Sequence, residues 1–485
     1  MGHKPSEYQE NIYDQTIAPG TDTIAVNAVA GSGKTTTIVN CLELIPKNKK
    51  IIFLAFNVAI VEELKTKVPA NVEVSTLHGF GMKTLKRWYG NKIKLSEGKV
   101  FFLGLKLFKK WNIEENQASY VYRVSKIVDY MRIYMEYEDN VKIAEIASRH
   151  SISIFKDEIK NAKELLAYSN KAMFDSIDFV DMIHLPASKN IKLQKYDYIF
   201  VDEAQDLSKA QQTMVKKMMN YNTKVIYVGD PMQAIYSFAG SDSNSFYNLG
   251  EVLGNKVKEL PLSVCYRCGV DIVNEAKSIV PYIEHSSFAE QGIVRDGIRE
   301  DISGDMIVVC RNTKPLVQLF FELLNKGVKA NIKGKEIGDN IIRMIDKTRQ
   351  TNIESMLKHL ESDRLKLKSK LVSKGVSKPE NHQSMADFME KKEIIKILSQ
   401  SAISTAQLKK QIKLIFVDEE QQGIVLMTIH KSKGLENKKI AFLNPELIPS
   451  KYAFTGEELQ QEQNLKYVAI TRAKSELIYI RHFGQ

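Results

Sequence analysis

A glycine-rich segment near the start of the chain has the residue types and the spacing of a phosphate-binding loop. It reads Ala28-Val-Ala-Gly-Ser-Gly-Lys-Thr35, follows an apolar run and opens a helical pattern, which is the context that such a loop requires. Loop amides and the helix N-terminus can bind phosphate oxygens, Lys34 can reach the β- and γ-phosphates, and Thr35 can bind Mg²⁺. The alternative is a glycine-rich turn with a chance Lys-Thr pair, since Ala28 stands where the usual pattern has glycine. The residues predicted to bind nucleotide here are Ala30, Gly31, Ser32, Gly33, Lys34, Thr35 and Thr36.

An acidic box supplies the second half of such a site. Tyr198-Ile-Phe-Val-Asp-Glu-Ala-Gln-Asp206 is an apolar run that ends in carboxylates. We expect Asp202 to hold Mg²⁺ at the strand tip and Glu203 to polarise the attacking water as general base. Hydrolysis of a γ-phosphate needs such an oriented nucleophile beside a charge-neutralising metal. An apolar strand followed by acids is also an ordinary helix N-terminus, but the phosphate-binding loop in the same chain favours the nucleotide site.

The composition is that of a globular protein with a polyanionic partner. The chain has 485 residues, of which 44% are hydrophobic and 26% charged, and its net charge is +11. These values argue against disordered, collagenous and disulfide-scaffold classes, and the basic balance favours a polyanion. No apolar stretch approaches the roughly 20 residues of a membrane span, and no apolar signal segment follows Met1. We therefore expect a cytoplasmic protein with no membrane partner.

The four cysteines favour a reducing compartment over a disulfide framework. Cys265-Tyr-Arg-Cys268 has the C-x₂-C spacing of zinc and iron–sulfur sites. A tetrahedral site needs two further ligands, and Cys41 and Cys310 form no second close pair. We expect no structural zinc or iron–sulfur cluster.

The elements that must position these residues follow an α/β rhythm. Short apolar runs predict buried strands separated by amphipathic helices, which is typical of parallel sheets. The strand candidates are Thr23 to Ala28, Ile51 to Phe56, Tyr198 to Val201, Lys224 to Val228, Met306 to Cys310, Ile424 to Ile429, Ile440 to Leu443 and Glu476 to Ile480. A helix is predicted around Gln460 to Arg472.

Two helix-like stretches interrupt this rhythm. The first includes Tyr120 to Glu138 and Ile143 to Tyr168, and the second is charge-dense with breaks at Gly375 and Pro379. The chain therefore predicts one α/β domain at 1–90 and 186–260 with a helical insertion at 91–185. A second α/β domain is predicted at 261–340 and 409–485, with a smaller helical insertion at 341–408.

Six motifs in order carry a family resemblance over nearly the whole chain. Besides the loop and the acidic box they are Val228-Gly-Asp-Pro-Met-Gln-Ala-Ile-Tyr-Ser-Phe-Ala-Gly240, Leu262-Ser-Val-Cys-Tyr-Arg267, Thr428-Ile-His-Lys-Ser-Lys-Gly-Leu-Glu436 and Tyr467-Val-Ala-Ile-Thr-Arg-Ala473. The chain resembles superfamily 1A DNA helicases of the UvrD, Rep and PcrA type. The resemblance implies two RecA-like domains, each with a mainly helical insertion, and ATP bound between them with Mg²⁺.

The resemblance also assigns nucleotide contacts. Gln9 resembles the amide that reads the adenine edge, and Tyr266 resembles the ring that stacks on adenine. Gln233 resembles the sensor of the γ-phosphate, while Arg267 and Arg472 resemble the arginines that stabilise charge on the transferred phosphoryl group. Glu436 resembles a carboxylate at the ribose or the hinge.

Contacts to single-stranded DNA follow in the same way. Tyr236 and Phe238 resemble the aromatic pair on which bases stack, with Phe238 where the family often has tryptophan. The remaining predicted contacts are Phe56, Asn57, Thr76 and His78 on the first domain, and Thr428 and His430 on the second. Phe80 is left out, because a lone aromatic side chain is more often part of the core.

The resemblance implies an ATP-dependent motor that moves 3′ to 5′ on single-stranded DNA and engages junctions between single and double strands. Only thirteen residues follow Arg472, so no fused nuclease domain is expected. The predicted second insertion is short, which favours a translocase that unwinds little. A second hypothesis is a DNA-stimulated translocase subunit that powers a partner such as a nuclease with little unwinding of its own. A third hypothesis is a non-enzymatic binding module switched by ATP. RNA in place of DNA is a variant of the motor hypothesis.

Overall fold

The computed structural model describes residues 4–20, 22–90, 92–150, 152, 154, 157–235, 240, 244–373, 376–418 and 423–481. The chain divides into two compact units, Met1–Ser263 and Val264–Gln485. Each unit contains a parallel sheet flanked by helices. This confirms the predicted α/β class with two parallel-sheet domains.

The first unit is built on a six-stranded sheet in the order β3-β2-β6-β7-β1-β8, and all of its described pairs are parallel. Parallel sheets covered on both faces have strands that are apolar throughout, and the five residues of one strand, IIFLA, are all buried. The strands are β1 (Thr23–Ala28), β2 (Ile51–Ala55), β3 (Val72–Thr76), β6 (Tyr196–Val201), β7 (Met219–Gly229) and β8 (Val257–Leu262).

Helices cover both faces of this sheet and form two apolar clusters with it. Two of them begin with capping boxes, at Ser6 and Ser208, in which a serine and a glutamine exchange hydrogen bonds with backbone amides. The helices are α1 (Glu7–Ile17), α2 (Lys34–Leu44), α3 (Val58–Lys65), α4 (Leu77–Tyr89), α9 (Asp181–Ser188), α10 (Lys209–Met218) and α11 (Ser245–Leu253).

A helical segment lies between α4 and α9 in the chain. It contains the short strands β4 (Lys94–Leu95) and β5 (Ser176–Ile177) and the helices α5 (Lys99–Trp111), α6 (Gln117–Tyr134), α7 (Asn140–Arg149) and α8 (Glu158–Lys171). The helices pack around their own apolar cluster. The single stretch expected from Ile143 to Tyr168 is wrong in one respect, because α7 ends at Arg149 and α8 begins at Glu158.

The second unit is built on a seven-stranded sheet in the order β11-β17-β16-β12-β15-β13-β14, again with parallel pairs. Its strands are β11 (Ile293–Gly297), β12 (Ile307–Cys310), β13 (Ala330–Lys333), β14 (Phe416–Val417), β15 (Ile424–Thr428), β16 (Asn437–Leu443) and β17 (Ala473–Ile480). A two-stranded sheet pairs β9 (Val264–Cys265) with β10 (Glu284–His285).

The helices of the second unit fall into two groups. Four consecutive helices, α14 (Lys335–Thr348), α15 (Ile353–Ser373), α16 (Gln383–Ser399) and α17 (Thr405–Ile415), lie between β13 and β14 in the chain. The others are α12 (Val270–Ala276), α13 (Thr313–Asn325), α18 (Ile429–Ser432) and α19 (Gly456–Ile470). Within the described ranges, no helix has the length and apolarity needed to cross a bilayer.

Candidate nucleotide and nucleic-acid sites

The glycine-rich loop joins β1 to α2 and turns sharply into the helix. Gly31 (φ 69°) and Gly33 (φ 77°) both adopt left-handed backbone conformations that side chains disfavour. Gly33 is also the N-cap of α2, so no cap side chain covers the first-turn amides. A helix of 11 residues thus presents its positive end at the loop. Ala30 and Ser32 are buried, while Thr36 is exposed.

Sheet order brings three motifs to one edge. Strand β7 lies between β1 and β6, with Asn27 opposite Gly229 and Val201 opposite Tyr227. Because parallel strands end at the same edge, the loop after β1, the acids after β6 and Asp230 after β7 converge there. Ligands of open α/β sheets bind outside such carboxyl ends.

The carboxylate of Glu203 faces the lysine of the loop. Lys34 Nζ lies 3.9 Å from Glu203 Oε1, and both side chains are largely shielded from solvent. Glu203 has φ 51°, a left-handed conformation for a residue with a side chain, and its N–H donates to Asp202 Oδ1 at 3.0 Å. Such strained backbone concentrates at functional sites.

A buried amide connects the acidic box to the segment after β7. Gln205 Nε2 donates to Glu203 Oε2 at 2.5 Å, and Gln205 Oε1 accepts from the Asp230 N–H at 3.1 Å. Asp230 Oδ2 in turn accepts from Gln233 Nε2 at 2.7 Å. Sequence reasoning placed Gln233 here but gave no role to Gln205 or Asp230, although both lie inside the quoted motifs.

The groups at this edge fit a magnesium ion. Asp202 follows β6 as a carboxylate that is 6% exposed, and Thr35 offers a hydroxyl from the first turn of α2. Mg²⁺ in phosphate-binding sites takes one or two such protein oxygens and completes its shell with water and phosphate. The donor set is therefore of the expected chemistry.

Gln9 lies against the first turn of α2. Its Nε2 donates to Thr37 Oγ1 at 3.0 Å, and its Oε1 accepts from the Ser6 N–H at 3.0 Å. The donor end of the amide thus holds α1 to α2, and the acceptor end completes the capping box of α1. Its predicted contact with adenine stays a prediction.

The predicted DNA residues of the first unit lie where strands end. Phe56 is 46% exposed after β2, and Asn57 Oδ1 caps α3 by accepting from the Ile60 N–H. Thr76 Oγ1 caps α4 by accepting from the Gly79 N–H, and His78 is exposed. Tyr236 and Phe238 lie outside the described residues. Phe80 belongs to the core, where its ring centroid lies 6.2 Å from that of Tyr196.

In the second unit, charged residues from three motifs meet. Arg267 forms an ion pair with Glu436 and donates from Nη1 to the Thr471 carbonyl at 3.2 Å. Glu436 also pairs with Lys474 at 2.6 Å, and both cations lower the pKa of its carboxyl against the effect of burial. Tyr266, beside Arg267, is 39% exposed.

Arg472 is engaged inside this unit. It is 2% exposed, donates from Nε to the Val468 carbonyl and from Nη1 to the Leu435 carbonyl, each at 3.1 Å. These bonds fix the end of α19 to the turn before Glu436. The structure brings Arg472, Arg267 and Glu436 into one cluster that the sequence presented as three separate motifs.

The remaining predicted DNA residues follow β15. Thr428 is the last residue of that strand, and His430 lies in the short helix α18. Burial and nearby Arg311 lower the pKa of His430 to about 3. His430 is therefore neutral at physiological pH.

The cysteine pair is buried in the same region. Hydrogen bonding between the two thiols lowers the pKa of Cys265, and the same contact together with burial raises the pKa of Cys268. Cys268 Sγ also lies 3.8 Å from the Thr471 carbonyl. Cys268 thus lies against the end of α19, at the same carbonyl to which Arg267 donates.

Comparisons with known proteins find DNA helicases that are similar to this chain. The F-box DNA helicase protein 1 of Schizosaccharomyces pombe is 26% identical over 523 residues, which cover 97% of this chain and 56% of that protein. The ATP-dependent DNA helicase Rep of Buchnera aphidicola is 21% identical over 619 residues, covering 97% and 94%. A probable DNA helicase II homolog of Mycoplasma capricolum is 25% identical over 592 residues, covering 94% and 81%.

The chain spans about half the length of the F-box helicases that it matches, since the Gallus gallus protein is covered over 49%. The family model of the UvrD/REP helicase N-terminal domain matches residues 10–252, which is half of the chain and contains the phosphate-binding loop, the acidic box and Gln233. The chain belongs to the UvrD/REP helicase family.

Proposed function

We propose that this protein is an ATP-dependent DNA helicase or translocase that moves 3′ to 5′ along single-stranded DNA. One observation supports the proposal more strongly than the others. Lys34 of the phosphate-binding loop and Glu203 of the acidic box lie 3.9 Å apart at the carboxyl edge of one parallel sheet. A cation for the terminal phosphates and a carboxylate for the attacking water are therefore adjacent, as phosphoryl transfer requires.

The residues at the carboxyl edge of the sheet have different roles in the proposed ATP hydrolysis. The amides of the loop and of the α2 N-terminus bind the phosphates, and Lys34 neutralises the charge that grows on them. Asp202 and Thr35 would hold Mg²⁺, which supplies further charge neutralisation when bound. Glu203 accepts the proton of the attacking water. Gln233 lies at the same edge, where it donates a hydrogen bond to Asp230.

The roles of the second unit and of the DNA contacts are part of the same proposal. Arg267 and Arg472 stabilise charge on the phosphoryl group, and Tyr266 stacks on adenine. Phe56, Asn57, Thr76, His78, Tyr236 and Phe238 contact the strand from the first unit, and Thr428 and His430 contact it from the second. The exposure of Phe56 and Tyr266 supports these assignments.

The experiment measures ATP hydrolysis and strand separation on duplexes with a 3′ or a 5′ single-stranded tail. Lys34→Ala is the inactive variant, and Lys65→Ala, an exposed lysine of α3 paired with Glu62, is the matched control. Unwinding from the 3′ tail alone supports the proposal with its polarity. ATP hydrolysis that DNA stimulates without strand separation supports a translocase instead of a helicase. ATP hydrolysis that neither DNA nor RNA stimulates contradicts the proposal of a nucleic-acid motor.

A further inference from the structure

We propose that Gln205 is a positioning residue that holds Glu203 in place for water activation and ties it to the Asp230–Gln233 segment. This inference rests on the proposed ATP hydrolysis and adds a residue to it. Gln205 does not touch the nucleotide in this scheme. It acts through its neighbours on both sides of the attacking water.

The two ends of the Gln205 amide perform different tasks. The Nε2 end donates to Glu203 Oε2 at 2.5 Å, and the Oε1 end accepts from the Asp230 N–H at 3.1 Å. The amide of glutamine offers a donor and an acceptor on one planar group. A carboxylate could keep the bond to Asp230 but not the bond to Glu203.

Burial strengthens these two hydrogen bonds. Gln205 is 1% exposed, so water does not compete for its amide. The bond to Glu203 also opposes any swing of that carboxylate away from the loop, where Lys34 lies 3.9 Å from its other oxygen. Glu203 is thus held from two sides, while its backbone keeps the left-handed conformation.

The hydrogen bonds of Gln205 continue into the segment after β7, which the family resemblance connects with the γ-phosphate. Asp230 is fully buried, and its carboxylate accepts from the Met232 N–H at 3.0 Å and from Gln233 Nε2 at 2.7 Å. Burial raises the pKa of Asp230, an effect that Lys34 opposes. Gln205 therefore joins the proposed general base to the residue that would sense the phosphate.

A glycine leaves room for this amide. A Cβ added to Gly229 would lie 2.3 Å from Gln205 Oε1 and 3.2 Å from the Ala204 nitrogen. Real carbon atoms do not approach an oxygen so closely, so Gly229→Ala must displace the Gln205 side chain. This variant disturbs the position of the amide without changing its chemistry.

The test compares three substitutions by steady-state ATP hydrolysis with saturating single-stranded DNA. Gln205→Met keeps the size and removes both hydrogen bonds, and Gln205→Glu keeps only the acceptor. We expect Gln205→Met and Gly229→Ala to lower kcat by about 10- to 100-fold, with KM for ATP changed less than about threefold, because misplacement of a reacting group affects the chemical step.

The pH profile separates positioning from a general structural role. Gln205→Glu places a second carboxylate beside Glu203, which disfavours the ionised form of the base. We expect the acid limb of its kcat profile to move to higher pH. The matched control is Gln212→Met, which removes another buried amide, bonded to Ser245 Oγ at 2.7 Å, and should lower Tm with kcat and the acid limb unchanged.

The outcomes distinguish this inference from the function on which it rests. Wild-type protein that does not hydrolyse ATP overturns both. Active wild-type protein together with a Gln205→Met variant of unchanged kcat overturns the positioning role alone. An acid limb that Gln205→Glu leaves unmoved, or a kcat loss equal in the Gln212→Met control, also overturns it.

Discussion

Lys34 and Glu203 form an ion pair of 3.9 Å although they lie on separate segments of the chain, one after β1 and the other after β6. Strand β7 separates those two strands in the sheet. The pair therefore exists because side chains reach across the end of β7, where Asp230 and Gln205 meet. This relationship is the basis of the first prediction.

Substitutions of Lys34 and of Glu203 should have different effects on ATP binding and ATP hydrolysis. Lys34→Ala should weaken ATP binding, because the loop loses its cation for the phosphates. Glu203→Gln should bind ATP at near-wild-type affinity and hydrolyse it about 10²- to 10⁴-fold more slowly, the usual contribution of a general base. Nucleotide binding by fluorescence and turnover by phosphate release measure the two effects. Glu203→Gln with wild-type turnover would exclude Glu203 as the base.

A buried ionic cluster should control the stability of the first unit. Asp181 accepts from Lys99 Nζ at 2.8 Å and from Arg132 Nη1 at 2.9 Å, and all three residues are at most 3% exposed. Asp181→Asn removes the carboxylate with which buried Lys99 pairs, while Arg132 keeps its ion pairs with Asp178 and Asp129. The free energy of unfolding should fall by about 3 to 5 kcal/mol, as for other broken buried pairs.

Urea unfolding at neutral pH measures that loss. Glu354→Gln is its control, because Glu354 and its partner Lys358 are both 76% exposed on α15. That variant should unfold at the wild-type urea concentration. Equal effects of the two substitutions would mean that the buried cluster contributes no more than a solvated pair.

The packing of α4 on α9 should be sensitive to one methyl group. A Cβ added to Gly81 would lie 1.8 Å from the Met182 carbonyl oxygen, a backbone atom that cannot rotate away. Gly81→Ala should therefore destabilise the protein by about 1 to 3 kcal/mol. It should also weaken single-strand binding, since α4 carries His78 and is capped by Thr76.

Thermal unfolding and fluorescence anisotropy with labelled single-stranded DNA measure these two losses. Gly456→Ala is the matched control, because a Cβ at that helical glycine meets no atom within 4 Å. Wild-type Tm in Gly81→Ala would show that α9 can move away from α4 at little cost.

His184 should contribute to acid sensitivity. Burial, followed by Arg132, Lys189 and Lys99, lowers its pKa to about 3, and its Nε2 lies 3.0 Å from the Tyr137 hydroxyl. The folded pKa is below the unfolded value of about 6.5, so the folded state favours the neutral ring. The stability that this provides is present above pH 6.5 and is lost as the pH falls from 6.5 towards 3.

His184→Gln can keep a bond to Tyr137 and removes this titration. Between pH 6 and 4, the free energy of unfolding should fall less steeply in the variant, by up to about 1.4 kcal/mol per pH unit, the value for one proton. Urea unfolding at a series of pH values measures both slopes. Parallel slopes would mean that His184 is not the group that takes up the proton.

Local sequence determined the strands and the loop. The run from Thr23 to Ala28 is mostly apolar, and β1 has those bounds, because a strand buried on both faces can be recognised without information about its partners. The strand β7 is longer than the predicted Lys224 to Val228 run, beginning at Met219 with polar and exposed residues. The polar end of a strand has no apolar pattern, so the sequence does not predict it.

The positions of the glycines and carboxylates were also evident from sequence. Gly31, Gly33 and Lys34 could be assigned since the loop is one continuous segment whose conformation depends on nearest neighbours. The residue types, the +11 net charge and the motif order led to the family without any tertiary information. A local pattern is sufficient where the chemistry is local.

Only the tertiary structure decided which of those residues meet. Gln205 contacts Asp230 because the sheet order places β7 beside β6, and Arg472 binds the Leu435 carbonyl because α19 ends beside the turn before Glu436. Neither contact has a signature in residue spacing, since strand order and helix packing are set by burial over the whole domain. The sequence by itself therefore determined the elements and the chemical groups, and the packing of the elements decided how those groups are paired.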